Sequence, residues 1–223
     1  MHRQSETTRL RPVEKVGEAS VKAYFQVLSE IIPQLPYAAI EQIATAITQA
    51  VEEGRTIFVF GNGGSAATAS HVVCDLGKTA IHGAQSRRPK VIALTDNVPL
   101  MTAWANDEGY EHVFSEQLKN FVAPGDVVFA LSCSGDSPNV LEALKTAREA
   151  GAVTVGSAGY EGGRMKALCD ICAVVPCGNM QMIEDLQHAV AHSIFTVVRE
   201  NLRTAQPVDQ IKPRAAGAGR GGQ

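Results

Sequence analysis

Aromatic residues are scarce, at 5% of the chain with a single tryptophan, which argues against a base-stacking platform for nucleic acid. Positive charge is not in excess either. The formal net charge is -3 at pH 7, so electrostatics give no reason to expect nucleic acid as the main partner. No apolar run approaches the ~18 residues that span a bilayer, and no membrane partner is expected. The first 15 residues lack the apolar core of a signal peptide. Five cysteines are an odd number in a chain too long to need disulfide staples. Both features point to a cytoplasmic protein with reduced thiols. What is present is apolar material for a sizeable core, 45% of 223 residues.

The two ends differ from the middle. Residues 1–14 are polar and mixed in charge, and a mobile N-terminus is expected. Residues 205–223 are rich in Gly, Pro and Ala and cannot bury enough surface to offset their ordering entropy, so a disordered tail is expected. Residues 15–204 should form a single domain. Within it, Thr56–Phe60, Lys90–Thr95, Val127–Ser132, Val153–Ser157 and Ile171–Pro176 are short apolar runs without polar alternation, as strands buried on both faces of a parallel sheet are. Helices are expected between them at Ser65–Lys78, Pro99–Val122 and Pro138–Ala150. Pro138 suits a first helical turn, where its missing N–H costs nothing. Two helices should precede the first strand, Val16–Ile32 and Tyr37–Glu53, split by Pro33 and Pro36. A long helix over Gln181–Arg203 should close the chain. This order predicts a three-layer α/β/α domain, with ligands beyond the carboxyl ends of the strands at a topological switch point.

The segments that follow the first and third strands fit that expectation. Gly61-Asn62-Gly63-Gly64-Ser65 puts three glycines into four residues before a helix. Such a turn brings backbone N–H groups close to a ligand, with the helix dipole behind them. It is not a Walker loop, since no Gly-Lys-Ser/Thr follows, and it is not the dinucleotide fingerprint GxGxxG. The third strand ends in Ser132-Cys133-Ser134-Gly135-Asp136-Ser137-Pro138-Asn139, with three serines in six residues and no Lys or Arg. That composition suits a phosphate monoester held by neutral donors at a helix start. A serine-rich turn with an ordinary helix cap would look the same. Two such loops together favour the ligand.

A second cluster lies on helices. His71 and Asp75 are four residues apart, and so are Glu184, His188 and His192, so each set shares a helical face. Two histidines and two carboxylates can make a four-ligand site for Zn²⁺ or another divalent ion. An isolated His-x-x-x-Asp pair is more often a surface pair. Cys169 and Cys172 form a CxxC, but they sit at the start of an apolar strand, where cysteines act as small hydrophobes rather than redox thiols.

The segments GNGGSA, SCSGDSPN and Asn106-Asp107-Glu108-Gly109-Tyr110-Glu111 resemble the sugar isomerase (SIS) domain family, and within it the phosphoheptose isomerases. The resemblance runs from about Tyr37 to Arg203. It implies a five-stranded parallel sheet of flavodoxin-like order, extra N-terminal helices and a homotetramer. It also implies a phosphosugar substrate, contacted by Asn62, Gly63, Ser65, Asp96 and Glu184, with phosphate on Ser132, Cys133, Ser134 and Ser137. One divalent ion, Zn²⁺ first, would be held by His71, Asp75, Glu184 and His192. Asp75 and His192 would move protons in an aldose–ketose isomerisation through an enediol(ate), most simply of sedoheptulose 7-phosphate. Several positions depart from the family pattern. Cys133 stands for Thr, Asp75 for Glu, Glu184 for Gln, Gln181 for Asp and Thr79 for Arg. The alternatives are an isomerase of another sugar phosphate, or a non-catalytic SIS protein that binds a phosphosugar or a replication-initiator protein.

Overall fold

The computed structural model describes residues 20–79 and 88–204. The segments expected to be mobile, 1–14 and 205–223, lie outside the described residues. Two helices open the fold, α1 (Val21–Ile31) and α2 (Tyr37–Glu53), separated at the expected prolines. Five strands follow: β1 (Thr56–Gly61), β2 (Lys90–Ala93), β3 (Val127–Ser132), β4 (Val153–Ala158) and β5 (Ile171–Val174). They form one all-parallel sheet in the order β2-β1-β3-β4-β5, so the chain reverses direction across the sheet between β1 and β3. This is the flavodoxin-like order, and it puts the switch point between the two loops singled out from the sequence.

The strands are apolar on both faces because both are covered. On β1, Ile57 and Val59 face one core while Phe58 and Phe60 face the other; on β3, Val127, Phe129 and Leu131 alternate in the same way with Val128 and Ala130. The first core is closed by α2, α3 (Gly64–Cys74) and α8 (Met180–Thr204). The second is closed by α5 (Ser115–Lys119), α6 (Pro138–Glu149) and α7 (Met165–Leu168), with α4 (Val98–Asp107) packed at its side. A third cluster joins Ile31 of α1 to Val175, Cys177, Met182, Ile183 and Leu186 near the start of α8.

The single helix expected over Pro99–Val122 is two helices. The chain breaks at Gly109, whose φ of 110° no helix contains, and makes a short turn at Tyr110–His112 before α5. The break brings Tyr110 back toward the glycine loop. The CxxC lies half-buried at the entry to β5. Cys169 and Cys172 lie beside Gly156 of β4; their mutual hydrogen bond, and then burial, push Cys169 up, while the same hydrogen bond draws Cys172 down.

Carboxylates tie down the opposite end of the sheet. Asp126 is buried and accepts from the backbone N–H of Thr56 and of Ala123 at 2.8 Å each, which fixes the amino ends of β1 and β3 together. The carboxyl ends are set by a close approach. A methyl group on Gly61 would lie 2.7 Å from both the Leu131 carbonyl oxygen and Ser65 Cβ. Gly61→Ala should therefore cost about 1–3 kcal/mol through overpacking. Each kcal/mol lowers the melting temperature by about 2–4 °C in a domain of this size, which calorimetry will read directly.

Candidate active site

The glycine loop is held from behind. Asn62 Nδ2 donates to Asn139 Oδ1 and Asn139 Nδ2 donates back to Asn62 Oδ1, both at 2.9 Å, and Tyr110 Oη donates to the same Asn62 oxygen at 3.2 Å. Asn139 is buried at the start of α6, so this pair bridges the loops after β1 and β3. Gly63 takes the N-cap position of α3 with φ 55° and leaves that helix start without a side-chain cap. Ser65, on the first turn, is buried with its hydroxyl 3.4 Å from Gln187 Oε1.

In the serine loop, Ser132 Oγ accepts from the Gly135 N–H at 3.1 Å and lies 3.5 Å from Ser137 Oγ. Ser134 Oγ accepts from the Asp136 N–H at 3.2 Å. Ser137 is the N-cap of α6 but makes no side-chain cap bond. An ordinary helix cap therefore does not account for its hydroxyl. The acid of this loop is turned to another partner. Arg164 Nε donates to Asp136 Oδ1 at 2.8 Å and holds that carboxyl below its usual range. Cys133 points its thiol at Glu184 Oε1 (3.9 Å) and Gln187 Oε1 (3.8 Å). Burial first, and then the Glu184 charge, push the thiol up, so it stays protonated. After β2, Asp96 accepts from Ser70 Oγ at 2.5 Å, beside Thr95 and one residue before His71.

The second half of the site sits between α3 and α8. His71 and His192 bring their Nε2 atoms to 2.8 Å, and Asp75 Oδ2 is 3.6 Å from each of those nitrogens. His188 joins them from the preceding turn of α8. A ligand atom from each of His71, His188 and His192 lies within 4.8 Å of the others, and the three rings meet edge to face at centroid distances of 4.5–4.8 Å. Thr68 Oγ1 lies 3.4 Å from His188 Nδ1. Neither carboxylate is in that group of three, but Asp75 reaches two of its members and Glu184 reaches none by any contact among the described residues. Its carboxylate occupies the space beside Gly64, where a methyl group would come within 2.5 Å of it, at the positive end of α3. The structure thus unites His71, Asp75 and His192 as the spacing suggested, and leaves Glu184 with the loops.

Three residues beyond the sequence-based set belong to this arrangement. Asn139 and Tyr110 fix Asn62, and Gln187 links Ser65, Cys133 and the Ser157 carbonyl, to which it donates at 2.8 Å. Asn139 and Tyr110 lie inside two of the three recognised motifs. Gln187 gives no signal beyond being a polar residue on an apolar stripe.

A parallel sheet of this order, with a glycine loop and a serine loop at its switch point, defines an α/β phosphosugar fold of the SIS type. The chain belongs to the SIS domain family, whose model matches residues 22–159. Among its relatives, the phosphoheptose isomerase of a Bradyrhizobium species is 40% identical over 167 residues, covering 74% of this chain and 82% of that one. The phosphoheptose isomerase of Rhodospirillum rubrum is 36% identical over 188 residues, covering 83% and 98%. In three dimensions the chain is similar to the phosphoheptose isomerase of Neisseria gonorrhoeae, with a TM-score of 0.75 at 28% identity over 81% of this chain and 97% of that one.

Packing leaves a signature in His188. Burial, followed by repulsion from His71 and His192, holds its pKa below the ordinary 6.5, while Asp75 pulls it upward. A depressed histidine favours the folded state above the unfolded pKa, and that contribution is lost as pH falls through the folded value. NMR titration of metal-free protein should show His188 titrating below 6.5. Asp75→Asn should lower it further, because the attractive charge is gone. A His188 that titrates at or above the ordinary value contradicts the packed cluster.

Proposed function

We propose that this protein is a phosphosugar isomerase that interconverts sedoheptulose 7-phosphate and an aldose heptose 7-phosphate. The observation that carries this reading is the join between the two halves of the site. Glu184 and Gln187 of α8 touch the loops after β1 and β3, and His188 and His192 follow on the same helix against His71 and Asp75 of the α3 side. One helix, α8, therefore contacts both loops and carries His188 and His192, which brings a candidate phosphate seat and candidate proton-transfer groups to one place. The relatives named phosphoheptose isomerase supply the substrate class.

The serine loop would hold the phosphate through the hydroxyls of Ser132, Ser134 and Ser137 and the start of α6. Cys133 adds a thiol beside Glu184 rather than a fourth hydroxyl donor. Asn62, Gly63, Ser65 and Asp96 would face the sugar chain, with Asn62 kept in register by Asn139 and Tyr110. Isomerisation needs a group that removes the proton beside the carbonyl and a group that moves the hydroxyl proton across the enediol(ate). Asp75 and His192 are these groups in our reading. Their separation of 3.6 Å lets one charge stabilise the other as the proton moves. The donor set here, imidazoles beside a carboxylate, fits a divalent ion such as Zn²⁺. When bound, such an ion supplies a positive charge that polarises a sugar oxygen. The five cysteines are all free thiols, in keeping with a reducing cytoplasm.

We further infer a homotetramer. Tyr24, Val27, Leu28 and Ile31 of α1 fold back on the third cluster, but Val21 and Phe25 remain 78% and 63% exposed on its outer side. A second copy would cover them. Light scattering at micromolar concentration should give four times the chain mass, and a monomer mass rejects the assembly.

The phosphate seat is tested by Ser134→Ala with Ser137→Ala. Each loses a charge-assisted bond of ~1.5–3 kcal/mol, so calorimetry should find sedoheptulose 7-phosphate bound at least ~10-fold more weakly. Unchanged binding rejects the seat. A coupled assay for the aldose product should give turnover with the wild type and none with His192→Ala. Absence of turnover in the wild type rejects the activity.

A further inference from the structure

The histidine cluster holds one member more than the four-ligand reading of the sequence needs, and one expected ligand is elsewhere. We propose that the divalent ion is held by three imidazoles, His71, His188 and His192, with Asp75 completing the set, and that Glu184 is not a ligand but a carboxylate facing the sugar between the two loops. The proposal rests on the metal part of the function proposed above and assigns that site's ligands.

The distances support it. Ligands at ~2.0–2.2 Å from one tetrahedral Zn²⁺ lie roughly 3.3 Å from one another. Asp75 Oδ2 is 3.6 Å from both His71 Nε2 and His192 Nε2, and those two nitrogens are 2.8 Å apart. The pairs bracket the tetrahedral edge. His188 offers a ligand atom within 4.8 Å of both other histidines. Thr68 is a buried hydroxyl beside His188 Nδ1, of the kind that orients a ligating imidazole through its second nitrogen. The His71 and His192 side chains are 43% and 49% exposed, so an ion can reach them from solvent.

Glu184 is held away from this point. Glu184 and His192 are eight residues apart on α8, about 12 Å of helical rise. The Glu184 carboxylate lies against the backbone of Gly64, at the positive end of α3, with the Cys133 thiol beside it. A carboxylate so placed is an acceptor for sugar hydroxyls. The charge at the metal changes accordingly. One carboxylate and three neutral imidazoles leave Zn²⁺ with one net positive charge, whereas a second carboxylate would cancel it.

The test uses the full-length chain, stripped of metal by chelator and then titrated with Zn²⁺ against a chromophoric competitor. His188→Ala should weaken Zn²⁺ binding at least tenfold. Glu184→Gln should leave it within twofold and instead weaken sedoheptulose 7-phosphate binding. Loss of Zn²⁺ affinity in Glu184→Gln as large as that in His188→Ala overturns the assignment, and so does unchanged affinity in His188→Ala. Co²⁺-loaded wild type gives a second readout that needs no variant. Three paramagnetically shifted imidazole N–H resonances support the set, and two overturn it. A wild type that binds neither Zn²⁺ nor Co²⁺ overturns the metal reading itself, whereas metal bound with only two shifted resonances leaves that reading standing and removes His188.

Discussion

The approach of α3 to the ends of β1 and β3 is the constraint on which the site depends. It is possible because two positions carry no side chain. Gly61 leaves room for the Leu131 carbonyl and for Ser65, and Gly64 leaves room for the Glu184 carboxylate. With those volumes vacant, α3 starts hard against the sheet and lies beside α8 along its length. The meeting of His71 with His188 and His192 follows from that contact, two turns further on. So does the contact of Ser65 with Gln187. The carboxyl end of the sheet is thus built on missing atoms, while the opposite end is built on added ones, the carboxylates of Asp126 and Asp170 that accept backbone N–H groups at or beside the strands.

The charges are arranged so that anions do not crowd the proposed phosphate seat. Asp136 is inside the serine loop, yet its carboxylate is bound to Arg164 and its charge is largely spent there. Glu184 sits at a helix start, where the dipole offsets part of its charge. What remains toward the seat is neutral: serine hydroxyls, backbone N–H groups, a protonated thiol and the Asn62–Asn139 pair. Neutral donors in a fixed frame can hold a dianion without the desolvation cost that buried lysines or arginines bring.

Much of this was legible in the sequence. Buried parallel strands are short and continuously apolar, and all five appear within a few residues of their expected bounds. The switch point followed from two unusual loops after the first and third strands. Pro99–Val122 reads as one helix because its periodicity survives the break: α4 and α5 pack on the same core, and only Gly109 marks the turn. Within the site, spacing put Glu184, His188 and His192 on one stripe of α8. Spacing does not say which member of a stripe meets a neighbouring helix. That depends on where α3 crosses α8 and on the free volume at Gly64, both of which are tertiary facts. Asn139 and Gln187 escaped notice for the same reason, since each acts on a residue more than 70 positions away.

The stripe on α8 also explains how one helix can serve two tasks. Residues 184, 188 and 192 are separated by about 6 Å of rise per step. The first lies level with the loops and the last two with His71 and Asp75. Cys133 and Gln187 stand between the levels, one a protonated thiol and the other a neutral amide that binds Ser65 and the Ser157 carbonyl. A carboxylate moved down one turn would enter the imidazole cluster and neutralise it; a histidine moved up one turn would meet the start of α3, where a positive ring is unfavourable. The order acid, then imidazole, then imidazole along the helix is therefore the one that matches the field of α3 from its positive start toward its interior.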